Sequence, residues 1–273
     1  MRNILFSLVV CISLVISAAI PVSAAKEEFI NTPSEENIKN IDEQLKELGA
    51  PDDFISTMPL EQKLDIINSN PESLIVEKKE FYFDSNGVLQ EKEPGTVAPM
   101  DTIDREDLRL YTSRSDLGYQ NGRKTYRIYL NWEWLKPTVF NYTDTVALSY
   151  NDIFKSRASN NGNYQCKSYH KNLNTNHTST TDCGGRPADI SFAGAYWHYD
   201  VKFGNAWRNY GYAQMDIETK RDDNPSGYGH IIGKYYHKIG FPGSKGVTIG
   251  YVEITANSST GFDEAATQST WNF

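Results

Sequence analysis

From about Thr102 onward, apolar side chains recur at every second position, the period a strand with one buried face requires. Tyr126, Ile128, Leu130, Trp132 and Trp134 fall on one side, and Arg127, Tyr129, Asn131 and Glu133 on the other. The alternation returns at Val146, Leu148 and Tyr150, then at Ala195, Trp197, Tyr199, Val201 and Phe203. Met215 and Ile217 follow, then Ile231, Gly233 and Tyr235, and finally Val247, Ile249 and Tyr251. Segments rich in Asn, Gly, Pro and Asp separate these runs: Gly118 to Gly122, Asn160 to Asn163, Asp222 to Gly227, and Phe241 to Gly246. Many short strands broken by such turns predict an antiparallel β-sandwich or jelly roll over residues 102–273. The aromatic content of 12 %, with Tyr the commonest ring, suits that class.

The first 25 residues have a different character. Arg2 precedes an apolar run from Ile4 to Ile20, and Pro21-Val22-Ser23-Ala24 supplies small residues at a cleavage position. This pattern predicts a secretory signal peptide over 1–25, since the run is short for a bilayer span and no second one follows. Residues 26–92 read as a small helical or α+β module. Thr32-Pro33-Ser34-Glu35 has capping-box character with proline at the first helical position. Ile38, Ile41, Leu45 and Leu48 then form one apolar stripe, and Gly49 is placed to end the helix. A second helix is expected from Met58-Pro59, burying Leu60, Leu64 and Ile67 before Asn70-Pro71. Ile75 to Phe83 with Asp84-Ser85-Asn86-Gly87 predicts a hairpin, and Glu91 to Pro99 has linker composition.

The net charge is −8, and one unit more negative once Arg2 is removed with the leader. That excludes an electrostatic footprint for nucleic acid and leaves only local contacts with anionic surfaces. Past the leader, Cys166 and Cys183 remain, and an oxidising compartment favours their pairing. A bridge closing about 17 residues contributes on the order of 3 kcal/mol in the chain-entropy model. The competing array Cys166, His170, His177 and Cys183 has zinc-type ligands but matches no standard finger spacing.

No H-E-x-x-H, G-x-S-x-G, phosphate loop or EF-hand loop is present. A polysaccharide hydrolase on a β scaffold needs only two carboxylates distant in sequence. Glu133, Asp200 and Asp216 are the candidates for that role, with Glu218 and Glu253 also on polar strand faces. Asp222, Asp223 and Asn224 offer oxygens that could close on calcium, although a plain turn satisfies the same residues. The aromatic residues form the stronger signal. Tyr196, His198 and Tyr236 share the face opposite their strands' apolar residues, and Trp207 lies nearby in sequence. A row of exposed rings with polar edges holds sugar rings at low entropic cost, provided no helix or second sheet covers it. The leader, the segment around Leu48-Gly49-Ala50-Pro51 and the Tyr/Trp-rich β region together give a layout that resembles uncharacterised secreted proteins of Gram-positive bacteria. The resemblance is one of layout and carries no functional residue. The expected function is a secreted, non-enzymatic protein binding an extracellular glycan or surface ligand, with a secreted hydrolase and a membrane-active toxin as alternatives.

Overall fold

A computed structural model describes residues 34–84, 89–92, 107–138, 142–157, 163–183, 186–220, 226–239, 247–251, 253–256 and 261–273. The expected leader and the Asp222, Asp223 and Asn224 turn lie outside these residues.

The chain is mainly β, as expected. Strands β1 (Ser73–Phe83), β2 (Leu89–Glu91), β3 (Asp107–Gln120), β4 (Arg123–Trp134), β6 (Phe154–Ser156), β7 (Gln165–Asn172), β8 (Thr178–Asp182) and β11 (Trp207–Thr219) form one antiparallel sheet. Its order is β2-β1-β3-β4-β11-β7-β8, with β6 pairing the far end of β11. A second sheet has the order β15-β12-β5-β10-β9, built from β5 (Thr143–Tyr150), β9 (Asp189–Ser191), β10 (Gly194–Asp200), β12 (Tyr228–Lys238) and β15 (Phe262–Asn272). A hairpin of β13 (Val247–Gly250) and β14 (Glu253–Ala256) stands apart from both.

The alternation decides the core. Tyr126, Ile128, Leu130, Trp132 and Trp134 of β4 meet Val146, Leu148, Trp197, Tyr199, Ile231 and Tyr235 of the smaller sheet in one buried cluster. Between the sheets, Arg114 lies 4.3 Å over the Trp271 ring and donates to Ser269 Oγ at 2.7 Å. Phe203 departs from the expected core pattern, because β10 ends at Asp200 and Phe203 is 56 % exposed. Val247 and Ile249 belong to the separate hairpin rather than to a sandwich strand.

Three helices precede the strands: α1 (Glu35–Glu47), α2 (Asp52–Thr57) and α3 (Leu60–Asn68). The Ser34 hydroxyl caps α1 by accepting from the Asn37 amide, so the helix begins at Glu35, two residues later than expected. Gly49, at φ +108°, ends α1 as expected. Helices this short are marginal alone and need a docking surface. Leu45, Phe54, Ile55, Met58 and Ile66 find one on Tyr111 and Tyr129, on the outer face of the larger sheet. The face of α3 differs from expectation: Gln62, Lys63 and Ile66 are buried, while Leu60, Leu64 and Ile67 are half-buried. The cause is the polar surface underneath. Gln62 and Asn131 exchange two amide hydrogen bonds, at 3.1 and 2.8 Å, and Lys63 reaches Asp42 of α1 at 2.6 Å.

The β1–β2 hairpin forms as the sequence implies, with Phe83 opposite Leu89. β1 also pairs with β3 from Ser73 to Tyr82, so the segment before residue 92 contributes strands to the larger sheet. Cys166 and Cys183 form the expected disulfide.

A tight interior approach occurs at Gly211, where a Cβ would lie 2.4 Å from both the Lys167 carbonyl oxygen and the Trp132 ring. Gly211→Ala is therefore expected to destabilise the protein by about 3 kcal/mol. A urea midpoint unchanged from wild type would contradict this packing.

Candidate functional site

The outer face of the smaller sheet carries most of the aromatic residues singled out above. Register places His198, Thr145, Tyr236 and Glu264 in one row and Tyr196, Ala147, Lys234 and Ala266 in the next. Tyr196, His198 and Tyr236 thus share a face, as the alternation predicts. Their exposure differs. Tyr236 is fully buried, because the β13–β14 hairpin lays Val247, Ile249 and Ile254 across it and the Tyr236 hydroxyl donates to the Ile254 carbonyl at 3.2 Å. Ser149 Oγ anchors the same hairpin by donating to Gly250 O at 2.7 Å. The expected open row of three rings is therefore shortened to two. Tyr196 and His198 remain half-buried, in edge contact with ring centroids 5.4 Å apart. His198 Nδ1 lies 2.8 Å from Thr145 Oγ1, which fixes the ring, and burial lowers the imidazole pKa below its ordinary value. The N-terminal helices cover the other sheet, so a hairpin and not a helix limits this surface.

Trp207 opens β11 in the larger sheet and does not join that row. It lies further along the chain segment that contains Tyr196 and His198. Past Asp200 the chain leaves the smaller sheet, and Lys202 places its ammonium 4.4 Å over the Trp207 ring and 3.2 Å from Ser179 Oγ of β8. Buried Asn209 holds this irregular stretch with both amide atoms. Its Oδ1 accepts from Lys202 N at 3.1 Å, and its Nδ2 donates to Lys202 O at 2.7 Å. Thr138 Oγ1 donates to the same carbonyl at 2.9 Å, and His170 Nδ1 lies 2.8 Å from Asn209 Oδ1. Burial depresses the His170 pKa, partly offset by that hydrogen bond. By alternation Lys202 continues the Tyr196–His198–Asp200 face, whereas nothing in the sequence pattern marks Asn209 or Thr138.

The structure does not assemble the candidate carboxylates. Glu133 is buried between Arg109, at 3.4 Å, and Arg208, which also donates to it. Asp216 faces Arg127 through two hydrogen bonds, 2.7 and 3.2 Å, while Arg127 also reaches Asp65 of α3 at 2.7 Å. Register sets Glu133 opposite Tyr210 and Asp216 opposite Arg127, so six residues, about 20 Å of strand, separate them. Asp200 is on the other sheet, exposed, accepting from Thr143 Oγ1 at 2.7 Å. Glycosidase pairs lie within about 10 Å. Glu218 instead joins Arg123, Lys155 and Arg157 in an ion-pair group. Removing Arg127 strands a buried Asp216 charge. Arg127→Ala is expected to cost about 3–5 kcal/mol, partly recovered in the Arg127→Ala/Asp216→Ala double variant. Urea titration of the four proteins measures the coupling.

The zinc-type array does not form either: the cysteines are bonded to each other, His170 is engaged by Asn209, and His177 is exposed. Among the described residues, no group of three or more His, Cys, Asp or Glu is arranged to hold a metal.

One polar cluster sits wholly inside the sandwich. Tyr235 donates to Asp144 Oδ2 at 2.5 Å and accepts from Trp134 Nε1 at 2.8 Å. Tyr199 also bonds to the Tyr235 hydroxyl, and because that proton already goes to Asp144, Tyr199 must be the donor. His237 Nδ1 and Lys238 N reach the same carboxylate at 2.9 and 3.0 Å. Burial, and then the Asp144 charge, raise the Tyr199 and Tyr235 pKa values well above the ordinary 10.0; burial raises Tyr126 to about 12. A phenol whose folded pKa is raised stabilises the fold fully below pH 10, and that contribution is lost as pH climbs beyond it. Phenolate absorbance should therefore lag that of free tyrosine above pH 10 and then jump with cooperative unfolding. Smooth titration of all the tyrosines at the free value, with the fold intact, would contradict these assignments.

The fold thus defines an antiparallel sandwich whose larger sheet is roofed by helices and whose smaller sheet is crossed by a hairpin. No protein-family model matches the chain, and a search of curated proteins finds no match.

Proposed function

We propose that the chain is a secreted, non-enzymatic binding protein that engages an extracellular glycan along the strip from Tyr196 and His198 to Trp207. The observation that carries this reading is the half-open ring pair Tyr196–His198, fixed on a rigid sheet and continued along the same chain segment by Trp207. Lys202, four residues past His198, bridges to Ser179 on β8, the edge strand of the larger sheet, and carries the Trp207 ring beneath its ammonium. Rings held this way offer flat apolar area with polar edges and lose little entropy on binding. The leader-like N-terminus and the disulfide support an extracellular setting. A hydrolase finds less support, because arginines neutralise Glu133 and Asp216 and the register keeps the two apart.

Glycan arrays and pull-down on isolated cell-wall polymer test the proposal. Wild type should be retained, and Tyr196→Ala and Trp207→Ala should each weaken retention by about three- to tenfold at unchanged melting temperature. Absence of retention, or retention indifferent to both substitutions, would sink the proposal.

A further inference from the structure

We infer that the Lys202–Trp207 end of the strip is the specificity element of the proposed glycan site and selects a saccharide carrying an anionic group. This rests on the glycan-binding reading and names its ligand class.

The argument begins with the side chains committed to this stretch. Asn209, Thr138 and His170 are buried polar groups, at 0 %, 1 % and 2 % exposure, which is costly unless each is hydrogen-bonded. Asn209 and Thr138 bond directly to the main chain of Lys202, while His170 lies against Asn209. The backbone here is outside any strand, so these bonds replace the ladder that would otherwise position it. What they position is the Lys202 ammonium over the face of Trp207. An ammonium has three donors, and among the described residues Ser179 Oγ takes one. The others are available to a ligand at a half-exposed position. Phe203, next to Lys202 in sequence, is 56 % exposed, and Leu173, whose N is tied to Ala206 O at 2.7 Å, is 50 % exposed. An indole ring beside a fixed positive charge matches the C–H face and the anionic substituent of an acidic sugar.

The protein's net charge of −8 sharpens the choice. Long-range attraction cannot bring a polyanion to this molecule, so affinity for one must come from a short-range, oriented contact of this kind. Carboxylate and phosphate supply the same chemistry, an oxygen anion accepting from Lys202.

The test uses full-length secreted protein on immobilised polyuronate, a poly(polyol phosphate) and neutral dextran. Retention on one or both anionic polymers well above dextran is expected, and which polymer retains it identifies the source of the anion. Lys202→Gln should lower that retention roughly tenfold or more, whereas Lys155→Gln, at the opposite end of the sandwich, should not. Asn209→Ala frees the Lys202 backbone and should weaken anionic retention while a retained disulfide and melting transition report an intact fold. Equal retention on dextran, or indifference to Lys202→Gln, overturns the anionic selectivity and leaves the glycan reading standing. Failure to bind any glycan, neutral or anionic, overturns both.

Discussion

Strand β4 is buried on both faces, and the remaining architecture follows from that constraint. One face sends Tyr126, Ile128, Leu130, Trp132 and Trp134 into the sandwich core. The other carries Arg127, Tyr129, Asn131 and Glu133, which would be at home in water but are nearly inaccessible. Buried charges and amides must be paired, and the partners of Arg127, Asn131 and Glu133 come from remote parts of the chain. Asp216 on β11 and Asp65 on α3 take Arg127, Gln62 on α3 takes Asn131, and Arg109 and Arg208 take Glu133. The short helices consequently have a specific seat on the sheet.

The smaller sheet solves the same problem differently. Its inner face joins the core, while its outer face is crossed by the β13–β14 hairpin, which seals Tyr236 and leaves Tyr196 and His198 at the margin. Where β10 ends, backbone hydrogen bonding passes from a neighbouring strand to the side chains of Asn209 and Thr138. The proposed ligand surface therefore sits where regular pairing stops, on a stretch whose geometry is held from beneath by buried polar groups. Irregular backbone on rigid support is the usual location of binding chemistry.

Much of the local structure could be read from the sequence. The Gly49 stop, the β1–β2 hairpin, the cysteine pair and the facing of β4 each depend on residues close in sequence or on a simple period. Other features escaped notice because their cause is distant. Helix α2 is too short to show a periodic stripe. Helix α3 turns Gln62 and Lys63 inward because of Asn131 and Asp42, which its own pattern does not reveal. β15 alternates Ala265, Thr267, Ser269 and Trp271 inward, a face too polar to stand out as hydrophobic.

The candidate site divides in the same way. Alternation determined that Tyr196, His198 and Tyr236 would share a face, because successive side chains of a strand point to opposite sides regardless of what surrounds it. Only the tertiary structure decided that Val247, Ile249 and Ile254 would cover one of those rings and spare two, and that Glu133 and Asp216 would meet arginines and not each other. Those outcomes depend on which distant segment packs against a face, a choice set by the summed burial and pairing of the whole chain.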